Sequence, residues 1–195
     1  MKLTQVVSPK SLSRVREPER AVVKVAAVQI SHNVDSAAQI AKVIEAIEIA
    51  VNAGAQIIFL PELTLSRYPA DSLPTGIPSR DAEQLESGPT FSLISEQAKK
   101  YGVVIHASLY QEAGLTDGRG LNTAIVVGSN GELLGSTPKL HIPVTEGYFE
   151  DKYFAPGPDN NPYPVFEMDL VGKPKLGLPT CWDEWFPEVA RAYAL

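Results

Sequence analysis

Cysteine is almost absent from this sequence: Cys181 is the only one in 195 residues. A single cysteine excludes an internal disulfide framework and fits a reducing compartment. Basic charge is also scarce. Seventeen Lys and Arg stand against 23 Asp and Glu, a formal net charge of -6, which argues against nucleic acid as a partner. Long hydrophobic runs are missing too. None approaches the roughly 20 residues that span a bilayer, so no membrane partner is expected. The stretch Met1 to Arg20 lacks the apolar core of a signal peptide. Its charges, among them Lys10, Arg14, Arg16, Glu17, Glu19 and Arg20, read as a solvated, flexible N-terminal tail. The location expected on these grounds is cytoplasmic. His32 and His106 have no metal-ligand spacing with Cys181, so no metal is expected, and no cofactor.

What is present suits one α/β domain over residues 21–195. Hydrophobic residues make up 44% of the chain and charged residues 21%, ordinary for a soluble globular protein with a sizeable core. Val22 to Ile30 is β-branched and reads as a buried strand. From Asp35 to Val51, Ala37, Ile40, Val43, Ile44, Ile47, Ala50 and Val51 line one face of a helix. Gln56 to Leu60 reads as a strand that Pro61 stops. This β-α-β order predicts parallel neighbouring strands, with Glu62 just past a C-terminal strand end, where open α/β sheets place their sites. Leu65 to Arg80 reads as a loop. A helix over Pro89 to Tyr101 and a strand over Val103 to Tyr110 follow. A hairpin, Asn122 to Gly128 and Glu132 to Ser136, turns on Ser129-Asn130-Gly131. Pro138 to Pro164 reads as a long irregular connection, a length that is usually functional.

The densest cluster of unusual residues is Leu178-Pro179-Thr180-Cys181-Trp182-Asp183-Glu184-Trp185-Phe186-Pro187-Glu188, which holds the cysteine and both tryptophans. Lys175 to Leu178 reads as a short buried strand, and Pro187 opens a helix. Cys181 is therefore expected on a strand-to-helix turn. There the positive end of the helix dipole would favour a thiolate, the reactive form. The alternative is a small buried hydrophobe, the commonest fate of a lone cysteine.

Cys181-Trp182-Asp183-Glu184-Trp185-Phe186-Pro187-Glu188 resembles the nucleophile motif of the carbon–nitrogen hydrolase (nitrilase) superfamily, closest to its N-carbamoylputrescine amidase-like branch. Two further motifs of that family have counterparts upstream: Phe59-Leu60-Pro61-Glu62-Leu63, and Pro138-Lys139-Leu140-His141-Ile142-Pro143. The similarity runs from about Lys24 to the last residue. It implies an α-β-β-α sandwich of two mixed sheets with outer helices. It also implies that family members continue past Leu195 with further strands and helices. The chain is accordingly read as lacking roughly the last third of such a domain, and the helix after Pro187 carries no stop signal.

The resemblance implies a Glu-Lys-Cys triad: Cys181 as nucleophile, Glu62 as base, and Lys139 with the Trp182 backbone N–H on the oxyanion. Glu150, in Gly147-Tyr148-Phe149-Glu150-Asp151, is implied as a supporting acid. Either Gln111 or Glu112 stands where the family has a further supporting glutamate. Tyr68, Tyr148 and Trp185 are the candidate substrate-binding residues. The implied activity is hydrolysis of a non-peptide C–N bond in a small amide or N-carbamoyl compound, by a homo-oligomer. The acids and aromatics after Lys139 favour N-carbamoyl amines over N-carbamoyl acids. Three rivals stand beside this reading: a glutaminase-type domain feeding ammonia to a synthetase, an inactive nitrilase-like assembly subunit, and a Cys181–His141 hydrolase.

Overall fold

The structure is a computed structural model that describes residues 1–7 and 21–195. The tail expected over residues 1–20 falls, for 8–20, outside the described residues. Strand β1 is Val25–Ala27, followed by helix α1, Ser36–Asn52, and strand β2, Ile57–Phe59. Asp35 caps α1: its carboxylate accepts the Ala38 N–H at 2.7 Å. Helix α2, Pro89–Tyr101, opens on a proline and closes on Gly102, whose φ of 64° is the left-handed C-cap that glycine adopts without strain. Strands β3, Val104–Gln111, β4, Leu121–Val127, and β5, Leu133–Pro138, complete a sheet of order β1-β2-β3-β4-β5. The first three strands are parallel, and β4 and β5 add antiparallel.

Strand β1 is shorter than the nine-residue buried strand expected from Val22 to Ile30. Among the described residues it has a neighbour on one side only, and Val22 and Val25 stay largely exposed. A β-branched run marks β propensity, and the tertiary position decides burial.

The two faces of the sheet have different covers. Val43, Ile47 and Ala50 of α1 and Ile94 and Ala98 of α2 pack on Ile58, Ile105, Ala107, Leu109, Ile125 and Val127. Each of these large side chains stabilises the fold by about 1.5–3 kcal/mol relative to exposure. On the other face, Ile57, Val104, Ala124 and Val126 meet Met168, Leu178, Phe166 and Leu176. The last two belong to a second sheet of two antiparallel strands, β6, Val165–Glu167, and β7, Lys175–Gly177. The contact is close enough that a Cβ on Gly135 would lie 2.0 Å from the Phe166 ring. Beyond β7 lies helix α4, Pro187–Ala194, with Tyr193 seated directly on Gly177. The layers therefore run helix, sheet, sheet, helix. Among the described residues no helix is long and apolar enough to cross a membrane.

Within the connection read as irregular, residues 150–153 form a single helical turn, α3, Glu150–Tyr153. This turn has a consequence for the site, because Glu150 is its first residue.

Candidate active site

Three loops bring charged side chains together at one end of the large sheet. The first follows β2. Leu63 adopts φ 49°, a left-handed conformation unusual for leucine. Thr64 anchors the turn: its N–H donates to the Ser108 carbonyl at 2.9 Å, and its Oγ1 accepts the Ser108 N–H at 3.1 Å. Gln39 of α1 holds the Thr64 carbonyl at 2.9 Å. Glu62 sits at the head of this pinned turn, partly open to solvent.

The second loop follows β5. The Lys139 N–H donates to the Asn122 carbonyl at 2.8 Å, and its own carbonyl accepts from Gly157 at 2.9 Å. A Cβ on Gly157 would fall 2.8 Å from the Pro138 carbonyl, so the close approach needs glycine. The Lys139 side chain is completely buried. Its Nζ donates to Glu150 at 2.7 and 3.1 Å and to Glu62 Oε1 at 3.3 Å. Burial pulls the ammonium pKa down, but the Glu62 charge and the hydrogen bond and charge of Glu150 outweigh it. They hold the group above the ordinary lysine value, so it stays charged. Tyr68 donates its hydroxyl to Glu150 Oε1 at 2.6 Å. Burial first, and then Glu150, push that phenol far above its ordinary range, so it remains a neutral donor.

The third loop carries Cys181 at φ 50°, again left-handed for a non-glycine residue. Asp183 shapes this loop. Its buried carboxylate accepts from the Thr180 N–H at 3.0 Å, from the His141 N–H at 2.9 Å and pairs with His141 Nδ1 at 2.7 Å. His141 also stacks on Phe186, with centroids 4.1 Å apart. It thus ties the lysine loop to the cysteine loop through Asp183.

The turn at Cys181 is present as expected, but the thiol differs from expectation in one respect. A five-residue 3₁₀ turn, Cys181–Trp185, separates the cysteine from α4, so the α4 dipole does not begin at the sulfur. Loss of water around the thiol, and then the Glu62 charge, raise its pKa, with Glu150 adding to the rise. Lys139 and the Trp182 backbone N–H pull the other way without reversing it. The residue as a whole remains exposed. Cys181 therefore rests as a thiol.

The structure brings Glu62, Lys139, Glu150 and Tyr68 into one hydrogen-bonded cluster whose charges reach Cys181. It leaves others outside. Tyr148 is exposed in its loop, and the exposed Trp185 stacks on Trp182 at 5.2 Å. Neither Gln111 nor Glu112 supports the cluster. Gln111 accepts from Thr123 Oγ1 at 2.7 Å and Glu112 from Gln84 at 2.5 Å, so both are committed elsewhere. Asn122, which motif reading passed over, donates to Glu62 Oε1 at 2.5 Å from full burial. Its only signal in the sequence is a polar side chain opening the apolar strand β4. Among the described residues, no group of three or more His, Cys, Asp and Glu is arranged to hold a metal ion.

Comparison with known proteins gives a consistent result. The family model "Carbon-nitrogen hydrolase" matches residues 24–195. A citrullinase of Francisella tularensis is 34% identical over 173 residues, covering 89% of this chain and 57% of that protein. An N-carbamoylputrescine amidase of Solanum lycopersicum is 34% identical over 174 residues, covering 89% of this chain and 55% of that protein. The chain thus spans a little over half the length of these relatives. A carbon-nitrogen hydrolase from Helicobacter pylori superposes with a TM-score of 0.75 at 27% identity, covering 88% of this chain and 56% of the other. An amidase from Nesterenkonia, with acrylamide added at its active site cysteine, superposes at 0.69 with 26% identity, covering 89% and 63%.

Proposed function

The chain belongs to the carbon–nitrogen hydrolase family, and from that premise we propose that its chemistry is the hydrolysis of a small amide or N-carbamoyl compound through Cys181. The observation that carries this reading is the buried Lys139 ammonium, held between Glu62 and Glu150 beside the single cysteine. A structural ion pair has no need of a thiol at its edge. Perturbed charges converging on a nucleophile are the signature of a reaction site.

Because Cys181 rests as a thiol, attack needs a base. As sulfur bonds to the carbonyl carbon, Glu62 takes the thiol proton. The carbonyl oxygen becomes an oxyanion, met by the Lys139 ammonium and the Trp182 N–H. The intermediate collapses with cleavage of the C–N bond. The leaving nitrogen takes the proton from Glu62 and departs as ammonia, leaving a thioester. Water then attacks with Glu62 again as base, and collapse returns the thiol and an acid. For an N-carbamoyl amine that acid is a carbamate, which falls apart to amine and carbon dioxide. Glu150 and Tyr68 hold Lys139 charged and in place throughout.

The substrate class follows from the relatives' names and from the loop after Lys139. Glu150 is buried and committed to Lys139, so Glu146, exposed in the same loop, is the acid free to meet a cationic tail. We therefore place N-carbamoyl amines first among substrates. The test is ammonia release from N-carbamoylputrescine, citrulline and simple aliphatic amides. We expect turnover that Cys181→Ala abolishes, fastest on the amine. Turnover that survives in Cys181→Ala refutes the reading, and so does silence across the panel.

A further inference from the structure

We infer that Asn122 is the positioning residue that holds the Glu62 carboxylate for its work at Cys181, with Ser108 setting which end of the Asn122 amide faces it. This rests on the reading of Glu62 as the base. The Asn122 side chain is fully buried and Ser108 is 1% exposed. A primary amide has one donating end and one accepting end. The Ser108 hydroxyl donates to Asn122 Oδ1 at 3.2 Å, which leaves the donating Nδ2 to meet Glu62 Oε1 at 2.5 Å. That oxygen also takes Lys139 Nζ at 3.3 Å. With Oε1 occupied by two donors, Oε2 is the oxygen left to accept a proton.

The same two residues fix both ends of the Glu62–Lys139 contact through their backbones. The Asn122 carbonyl accepts the Lys139 N–H at 2.8 Å, and Ser108 clamps Thr64, two residues beyond Glu62. In a strand of Thr, Ala, Ile and Val, an uncharged polar side chain under full burial costs stability unless both ends are paired. Here both are, and one pairing ends on the base.

The single cysteine gives a substrate-free readout. The groups whose charges reach its thiol are Glu62, Lys139 and Glu150. The iodoacetamide alkylation rate of Cys181 against pH is measured for the parent chain, Glu62→Gln, Asn122→Leu and the double variant. Removing the Glu62 charge moves the midpoint to lower pH. Asn122→Leu adds no charge, so it acts on the thiol by releasing Glu62, and its midpoint moves toward that of Glu62→Gln. In the Glu62→Gln background the same substitution produces no further shift. A purely structural role moves both backgrounds alike. Thermal unfolding monitors the fold. If Asn122→Leu does not melt cooperatively, Ser108→Ala takes its place, with a smaller shift in the same direction. In turnover, Asn122→Leu lowers kcat about 10- to 100-fold with KM little changed, the size expected for a lost charge-assisted hydrogen bond. An Asn122→Leu profile that coincides with the parent, or a shift that persists in the Glu62→Gln background, overturns the inference. If the parent shows no turnover, the proposed function fails, and the labelling comparison still decides the role of Asn122.

Discussion

Lys139→Met removes the cation that Glu62 and Glu150 share. The side chains are 0% exposed for Lys139, 2% for Glu150 and 27% for Glu62. Glu62 can turn to water once its partner is gone. Glu150 cannot, and its carboxylate is left with the Tyr68 hydroxyl. Breaking a buried pair by deleting one partner costs about 3–5 kcal/mol, because an uncompensated charge stays inside. Methionine nearly matches lysine in volume, so little of the loss comes from a cavity. For a chain of this size that is a fall of about 6–20 °C in Tm. Urea unfolding at pH 7 measures it as a lower midpoint at unchanged m. Adding Glu150→Gln to Lys139→Met removes the stranded charge and recovers most of the loss. The pH dependence has a definite sign. Lys139 titrates above its ordinary 10.5 in the folded state. Its contribution is fully present below that value and is lost as pH rises through the raised folded pKa, so parent and variant converge in strong alkali. A Lys139→Met protein within 1 kcal/mol of the parent, or a double variant no better than the single, would falsify the picture of a buried charge network.

Other substitutions probe the site and the layers around it. Glu62→Gln lowers kcat by about 10²–10⁴, and Lys139→Ala falls in a similar range; ammonia release near the parent rate from either sinks their assignment. His106, whose Nδ1 is buried without a partner among the described residues, has its pKa pulled by burial from 6.5 to about 4. The unfolded chain binds the proton first as pH falls through 6.5, so stability drops by up to about 3 kcal/mol by pH 4. His106→Leu removes that share of the acid loss, and parallel urea midpoints for the two proteins between pH 7 and 4 contradict it. Gly135→Ala forces Phe166 off β5 and costs about 1–3 kcal/mol by overpacking. A Tm equal to the parent's shows instead that the two sheets part easily.

Local signals carried much of the architecture. Asp35 and Pro89 marked helix starts because capping is a matter of a few adjacent residues. The β-α-β order gave the parallel strands and put Glu62 past the end of β2. Glu62, Lys139 and Cys181 were recognisable because each lies in a short motif that reads the same in the linear chain. What the linear chain does not carry is who stands beside whom. Burial of β1 depends on neighbours in space, and among the described residues it pairs with β2 alone, so a β-branched run is mostly exposed. The rise in the Cys181 pKa, where the turn alone suggested a fall, depends first on the loss of water around the thiol and then on Glu62 and Glu150, 119 and 31 residues away along the chain. Asn122 meets Glu62 across 60 residues. Capping and periodicity act over one or two turns, whereas Coulomb and hydrogen-bond energies depend on distance in space and on the water excluded there. Only the folded sheet fixes those.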